Sequence, residues 1–191
     1  MIFHNEVFDE FPLIETDRLI LREIKPDDAD YIFEIYSDPE AMKYFGRETF
    51  KSVDDAFLWI NKIHDDFKNK EGIRWGITLK DTGRYIGSGG IWRIIKDHFR
   101  GEIGYELNPK YWNRGLMYEA LMPMIDFAFG KMNLHSIEAN TDPENSASVR
   151  LLEKTGFVKE GHFKENYYSK GKFLDSAVYS LIKNNRKKFT V

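Results

Sequence analysis

The hydrophobic period changes in the middle of this 191-residue chain, and that change constrains the fold more than any other feature. Residues 73–79, 84–95 and 101–107 have the pattern of strands, and Asp81-Thr82-Gly83 is a hairpin signal between the first two. Across residues 115–129, apolar side chains recur at helical spacing instead. The centre of the chain therefore predicts an antiparallel meander followed by a helix.

Shorter elements are expected on either side of this centre. The predicted strands are residues 18–23, 136–141, 157–168 and 172–182, and the predicted helices are residues 27–36, 52–70 and 145–155, with one further helical turn at 38–46. Strands both before and after the central helix predict an α+β fold around a mixed sheet. We expect one domain over residues 1–191, with its core at about 14–183 and a basic tail at 184–191.

Composition excludes several classes of function. The chain has 28 basic and 31 acidic residues and no cysteine, so nothing favours DNA binding, an anionic membrane surface or a thiolate metal site. The five histidines are scattered without metal-ligand spacing, and no metal is expected. No apolar run approaches the ~18 residues of a membrane helix, and the first residues do not resemble a secretion signal. A cytoplasmic location is the default expectation.

A strand, a short loop and the start of a helix follow one another at residues 101–117. The first amides of a helix lack internal partners, and Gly115 would let a ligand approach the backbone closely. This arrangement favours an anion site for phosphate or diphosphate, although many such turns hold only water. It is neither a Walker loop nor a dinucleotide fingerprint.

The same loop carries a family resemblance. Residues 102–120, Glu-Ile-Gly-Tyr-Glu-Leu-Asn-Pro-Lys-Tyr-Trp-Asn-Arg-Gly-Leu-Met-Tyr-Glu-Ala, resemble the acyl-CoA loop of the GNAT superfamily of N-acetyltransferases, and most closely its RimJ/RimL-like ribosomal-protein group. Residues 15–22 and 140–157 are similar to two other segments of that group. The resemblance implies a GNAT-like, mostly antiparallel twisted sheet with helices on both faces. It also implies a splay between the two central strands, one ending at Leu107 and the other at 136–141.

The resemblance further implies that the chain binds acetyl-CoA. The main-chain N–H groups expected to bind its diphosphate belong to Arg114, Gly115, Leu116, Met117 and Tyr118. Main-chain groups near Leu107 and Asn108 would bind the pantetheine arm. The family usually has a smaller residue at Met117 and often glycine at Asn113, and these departures predict a looser fit rather than a lost site.

Three glutamates are candidates for the general base that takes the proton of the acceptor ammonium. Glu102 matches the base position of several GNAT enzymes and ranks first. Glu138 matches the base position of another branch, and Glu106 shares a strand face with Glu102. Each has the alternative role of a solvated or salt-bridged strand residue.

The resemblance leaves the acid that protonates the thiolate open. Many GNAT enzymes place a tyrosine where this chain has Leu152, so Ser148 or a water would have to serve. Asn145 is expected either to anchor the cofactor or to cap the helix that follows. Seven aromatic residues are candidates for the acceptor pocket, with core packing as their alternative role: Phe33, Tyr36, Tyr44, Phe45, Trp59, Trp75 and Trp92.

These features predict an acetyl-CoA-dependent N-acetyltransferase. An amine would attack the thioester directly in a ternary complex, without a covalent acyl-enzyme. The acceptor would be a protein N-terminus or a small-molecule amine, and an antibiotic or a polyamine is an alternative acceptor. A non-catalytic acyl-CoA-binding sensor is the rival class. The basic run at 183–188 leaves ribosome contact open, and the chain would be a monomer or homodimer.

Overall fold

The computed structural model describes residues 1–185, and an eight-stranded sheet forms its centre. The strands are β1 (Ile14–Glu15), β2 (Leu19–Arg22), β3 (Ile73–Leu79), β4 (Tyr85–Ile95), β5 (Arg100–Leu107), β6 (Ser136–Thr141), β7 (Val158–Ser169) and β8 (Lys172–Ile182). The helices are α1 (Ala29–Ser37), α2 (Val53–Lys68), α3 (Leu116–Gly130) and α4 (Ser146–Lys154). The spatial order is β1-β2-β3-β4-β5-β6-β8-β7, and the predicted α+β class is confirmed.

Most predicted elements lie within two residues of those observed, but the helical turn predicted at 38–46 is wrong. Residues 39–44 form consecutive turns. The Asp38 carboxylate accepts hydrogen bonds from the N–H groups of Glu40 and Ala41, at 2.8 and 3.3 Å. Such side-chain bonds offer the backbone an alternative to a helix. The predicted basic tail lies almost entirely beyond residue 185 and so outside the described part of the chain.

The sheet opens between its two central strands. β5 and β6 are parallel and pair only at their first residues, in the register Arg100–Ser136 to Glu102–Glu138. Beyond that point β5 continues to Leu107 beside β4, whereas β6 stays paired with β8. The other neighbouring strands pair antiparallel. The predicted splay is therefore present, and it leaves a gap lined by strand edges.

Helices cover both faces of the sheet, as predicted. Tyr85 and Ile86 are successive residues of β4 and so point to opposite faces. Tyr85 belongs to an apolar cluster with α1 and α2, whereas Ile86 belongs to a larger cluster with α3. The described helices include none that is long and apolar enough to cross a membrane. The two cores hold the opened strands in place from either side.

Candidate active site

A cavity of about 450 Å³ lies where the sheet opens. Its walls come from strands β3 to β6, from helices α1, α2 and α4, and from the segment that follows α1. Of the predicted site residues, it brings together Glu102, Asn145 and Ser148. The other predicted bases, Glu106 and Glu138, are not among its lining residues. Of the three candidate bases, only Glu102 therefore lines the cavity.

Glu102 lies on β5 at the last residue that pairs with β6. Its side chain is 13% exposed, and one carboxylate oxygen accepts a hydrogen bond from Nη1 of Arg93 at 2.8 Å. Arg93 is itself 75% exposed, so solvent screens this ion pair. The other carboxylate oxygen has no protein donor among residues 1–185. Glu102 thus faces the cavity with an oxygen available for a ligand or a water.

Glu106 is held inside the protein. The Ser88 hydroxyl and the Arg74 guanidinium both donate to its carboxylate, and its side chain is only 2% exposed. The Trp92 ring fills the space where a Cβ at Gly104 would be, between Glu106 and Glu102 on the same strand face. These contacts explain why Glu106 does not reach the cavity.

Glu138 lies beside Glu102 on the neighbouring strand. It pairs with the Arg100 guanidinium and accepts a hydrogen bond from Nδ2 of Asn140 at 2.8 Å. Its side chain is 19% exposed, outside the lining of the cavity. Glu138 is thus salt-bridged, as Glu102 is, but unlike Glu102 it does not line the cavity.

Two hydroxyl groups from opposite walls of the gap are in contact within the cavity. The Tyr105 hydroxyl on β5 lies 3.0 Å from Oγ of Ser148 on α4. Burial raises the pKa of Tyr105 to about 12, although the hydrogen bond with Ser148 acts in the opposite direction. The phenol is therefore protonated near neutral pH. No local sequence pattern marks this hydroxyl, because its partner lies 43 residues away.

Asn145 caps α4, as one of its two expected roles required. Its side-chain oxygen accepts a hydrogen bond from the Ser148 N–H at 3.1 Å. The residue also lines the cavity, so the capping role leaves its amide nitrogen near the opening. Leu152, one turn beyond Ser148, is buried and also lines the cavity, with no hydroxyl to offer.

The loop before α3 leaves several main-chain N–H groups without a protein acceptor among the described residues. Asn113 and Gly115 have φ values of 59° and 73°, in the left-handed region. Asparagine tolerates this region better than most residues, which accounts for Asn113 where the family often has glycine. Within residues 1–185, the main-chain N–H groups of residues 114–118 donate to no protein acceptor. Met117 is buried in the larger core, so its side chain leaves the outer surface of the loop open.

An ion pair fastens this loop to the start of the sheet. The Glu119 carboxylate in the first turn of α3 accepts hydrogen bonds from the Thr16 hydroxyl at 2.6 Å and from Nε of Arg18 at 2.7 Å. Nη1 of Arg18 also donates to the Arg114 carbonyl at 3.1 Å. This contact joins the loop to the segment at residues 15–22, which also carries the family resemblance.

Leu107 and Asn108 differ in what they offer. The Asn108 N–H donates to the Ile86 carbonyl at 2.8 Å, and its side chain bonds Glu34 and the Lys110 N–H. Because main-chain groups alternate along a strand, those of Leu107 point away from β4 and into the gap. Its carbonyl accepts a hydrogen bond from Nε1 of Trp112 at 2.7 Å. Leu107 is thus better placed for a ligand than Asn108.

The lining of the cavity is rich in aromatic rings and guanidinium groups. Five of the seven predicted aromatic residues line it: Tyr36, Tyr44, Phe45, Trp59 and Trp92. Trp75 instead belongs to the larger core, and Phe33 packs against the smaller one. Three arginines that the sequence analysis did not mention also line the wall: Arg47, Arg74 and Arg93.

Comparisons with known proteins agree with this geometry. Residues 18–158 match the acetyltransferase (GNAT) domain family. The uncharacterized N-acetyltransferase YoaA of Bacillus subtilis is 40% identical over 173 residues, covering 91% of this chain and 98% of that protein. The ribosomal protein uS5-alanine N-acetyltransferase of Escherichia coli is 26% identical, covering 88% of this chain and 89% of that one.

Two solved structures are similar in fold. An acetyltransferase of the GNAT family from Bacillus anthracis has a TM-score of 0.81 at 28% identity, covering 91% of this chain and 99% of that one. A spermidine N-acetyltransferase from Vibrio cholerae, solved with CoA and spermine, has a TM-score of 0.79 at 24% identity. The alignment covers 89% of this chain and 98% of the Vibrio cholerae enzyme. The fold is thus shared with both structures along nearly the whole chain.

Proposed function

This chain belongs to the GNAT acetyltransferase family and is an acetyl-CoA-dependent N-acetyltransferase, and from that premise we propose how its residues perform the reaction. A primary amine enters the cavity from the side of Glu102 and attacks the acetyl group directly, in a ternary complex. The observation that carries the proposal is the position of Glu102 and the Tyr105–Ser148 pair on one cavity at the opened strands. A bond between nitrogen and the acetyl carbon forms as the bond from carbon to sulfur breaks; nitrogen then loses its second surplus proton, and the departing thiolate takes up one proton and leaves as the thiol.

The residues around the gap fit acetyl-CoA, which supplies an activated acetyl thioester when bound. The five N–H groups of residues 114–118 lie at the positive end of α3 and donate to no acceptor among residues 1–185, and this arrangement suits a diphosphate. The main-chain N–H of Leu107 would donate to the amide-bearing arm as a strand residue does, since its carbonyl already accepts from Nε1 of Trp112. Arg18 holds the loop in place through Glu119 and the Arg114 carbonyl.

Glu102 acts as the general base in this proposal. An alkyl ammonium near neutral pH must lose a proton before its nitrogen can attack, and the carboxylate accepts that proton directly or through one water. Its hydrogen bond from Arg93 holds one oxygen and leaves the other toward the cavity. Glu138 and Glu106 are engaged by Arg100 and Arg74 and serve as structural residues.

The Tyr105–Ser148 pair stabilises the leaving group. The Tyr105 phenol donates a hydrogen bond to the departing sulfur, and Ser148 orients that phenol across the gap. Because the pKa of Tyr105 is raised, the phenol keeps its proton and remains a donor throughout the neutral range. Many GNAT enzymes have a tyrosine at the position of Leu152 that protonates the thiolate. In this chain the Tyr105–Ser148 pair would stabilise the thiolate instead.

An acetyl-transfer assay tests the proposal. Purified protein is incubated with acetyl-CoA and a panel of N-terminal peptides, polyamines, aminoglycosides and other small amines, and both free thiol and acetylated product are measured. We expect release of CoA that depends on an amine. Tight binding of acetyl-CoA without turnover on any amine would instead support the rival acyl-CoA sensor. Ribosome contact, oligomeric state, domain bounds and a cytoplasmic location remain predictions.

A further inference from the structure

The lining of the cavity carries an excess of positive charge. Arg47, Arg74 and Arg93 line it, whereas Glu102 is the only carboxylate among the described lining residues. A second ammonium group on the acceptor would therefore meet guanidinium groups with little acidic compensation. This distribution of charge constrains what the acceptor carries besides its amine.

Two of the three arginines are neutralised by carboxylates. Arg74 pairs with the buried Glu106, and the Arg74 side chain is 11% exposed. Arg93 pairs with Glu102 at the cavity rim. These two charges are therefore partly cancelled before a ligand enters.

Arg47 has no such partner. Across residues 1–185 its guanidinium makes neither a hydrogen bond nor an ion pair, and its Nε is buried without an acceptor. The guanidinium carbon lies 4.5 Å from the centre of the Tyr36 ring, and it also approaches the rings of Phe45 and Phe50. Stacking fixes its position but does not neutralise its charge. A half-buried cation without a counter-ion is stabilised when an anion binds.

A second cavity extends the same positive surface. It has a volume of about 850 Å³ and shares Arg47, Arg74 and Arg93 with the first. Its further charged lining residues are Lys62, Lys70 and Lys96 on the basic side, and Asp66 and Glu71 on the acidic side. Lys62 pairs with Asp66 and Lys70 with Asp9. Arg47 is thus the guanidinium without an ion pair, among the described residues, that the two adjoining cavities share.

We propose that the acceptor is a small amine that also bears an anionic group, a carboxylate or a phosphate, which Arg47 binds. The inference rests on the proposed function and adds the chemical class of the substrate. The anion lies against the guanidinium of Arg47, and the aromatic walls contact the carbon chain between the two ends. The amine then lies toward Glu102. A polyamine of the same length lacks the anion and adds a second positive charge.

Matched series of acceptors test the proposal. Each series has one spacer length and contains an ω-amino carboxylate, an ω-aminoalkyl phosphate, a monoamine and a diamine. We expect kcat/KM for an anionic member to exceed that for the diamine by about 10-fold or more. Preference between the carboxylate and phosphate arms identifies the anion. A diamine that equals or exceeds both anionic members at every spacer length would overturn the proposal.

Variants assign the preference to Arg47. Arg47→Gln should raise KM for the preferred anionic amine by about 10- to 100-fold and leave KM for acetyl-CoA unchanged. Arg47→Lys should restore part of the loss, because it keeps the charge. Lys159→Gln, an equal change of charge on exposed β7, is the control and should have no effect. Equal KM values in wild type and Arg47→Gln would overturn the assignment.

Calorimetric binding of the same acceptors to the protein–CoA complex separates this inference from the proposed function. Without any acetyl transfer, the proposed function fails, yet the anionic amines should still bind more tightly than the diamines. If they do not, the inference fails whether or not the chain acetylates an amine. Binding should also weaken in Arg47→Gln and persist in Lys159→Gln.

Discussion

The hydroxyl of Tyr105 on β5 lies 3.0 Å from Oγ of Ser148 on α4, and this contact bridges the gap at which the sheet opens. The two residues reach the same point from opposite walls of the gap. Leu152 at the next turn of α4 supplies no polar group. A protonated phenol is therefore available at the opening although the tyrosine expected from the family is absent.

Tyr105→Phe should lower kcat by about 10- to 100-fold, because a hydrogen bond to a charged sulfur is lost in the transition state. KM for acetyl-CoA should stay within a few-fold, since no binding group of the loop changes. Ser148→Ala removes only the group that orients the phenol and should have a smaller effect. Steady-state kinetics check both. Wild-type turnover in Tyr105→Phe would remove this phenol from the mechanism.

Glu102→Gln should lower kcat near neutral pH by about 10²- to 10⁴-fold, because the amide cannot accept the ammonium proton. The dependence of kcat on pH should also flatten. Glu138→Gln is the matched control on the neighbouring strand and should keep most of the turnover. The reverse order of effects would assign the base to Glu138 instead.

Gly115→Asp should weaken acetyl-CoA binding by about 10-fold or more, because it adds a negative charge beside the diphosphate at a position with positive φ. Gly83→Asp is the control, since Gly83 also has positive φ and open space around it but lies in the β3–β4 turn. Calorimetry measures both affinities. Equal affinities would mean that the loop does not bind the diphosphate.

Glu119→Gln should destabilise the fold by about 1 kcal/mol near neutral pH, since the carboxylate accepts bonds from Thr16 and Arg18. Burial raises the pKa of Glu119, but these hydrogen bonds outweigh it and lower the pKa below 4.5. The stabilisation is therefore complete above pH 4.5 and is lost as the pH falls through the lowered value.

Urea unfolding at several pH values measures this difference. The free energies of unfolding of wild type and Glu119→Gln should converge in acid, whereas an exposed control, Glu71→Gln, should match wild type throughout. A constant gap between wild type and Glu119→Gln down to strongly acidic pH would show that ionisation of Glu119 is not its source.

Local patterns were sufficient to predict most of the fold and the loop. Period and turn residues placed the strands at 73–79, 136–141 and 172–182 as the structure has them. Gly115 at a helix start predicted first amides without internal partners, and the structure gives residues 114–118 no acceptor among residues 1–185, because cap geometry depends on neighbouring residues alone. Even the departure at Asn113 keeps the left-handed backbone that the loop uses.

Contacts between distant segments could not be predicted in this way. Glu106 shares a face with Glu102, yet its pairing with Arg74, 32 residues earlier, buries it. The link between Arg18 and Glu119 spans 101 residues. Such pairings depend on how strands and helices pack, and a single sequence does not record that packing.

A crystal structure of the chain with CoA is the most direct test of acetyl-CoA-dependent transfer at the opened strands. The diphosphate should accept hydrogen bonds from amides within residues 114–118, the pantetheine arm should run along Leu107, and the sulfur should lie near the Tyr105 hydroxyl. A diphosphate bound elsewhere, with those amides capped by the protein's own side chains, would contradict it.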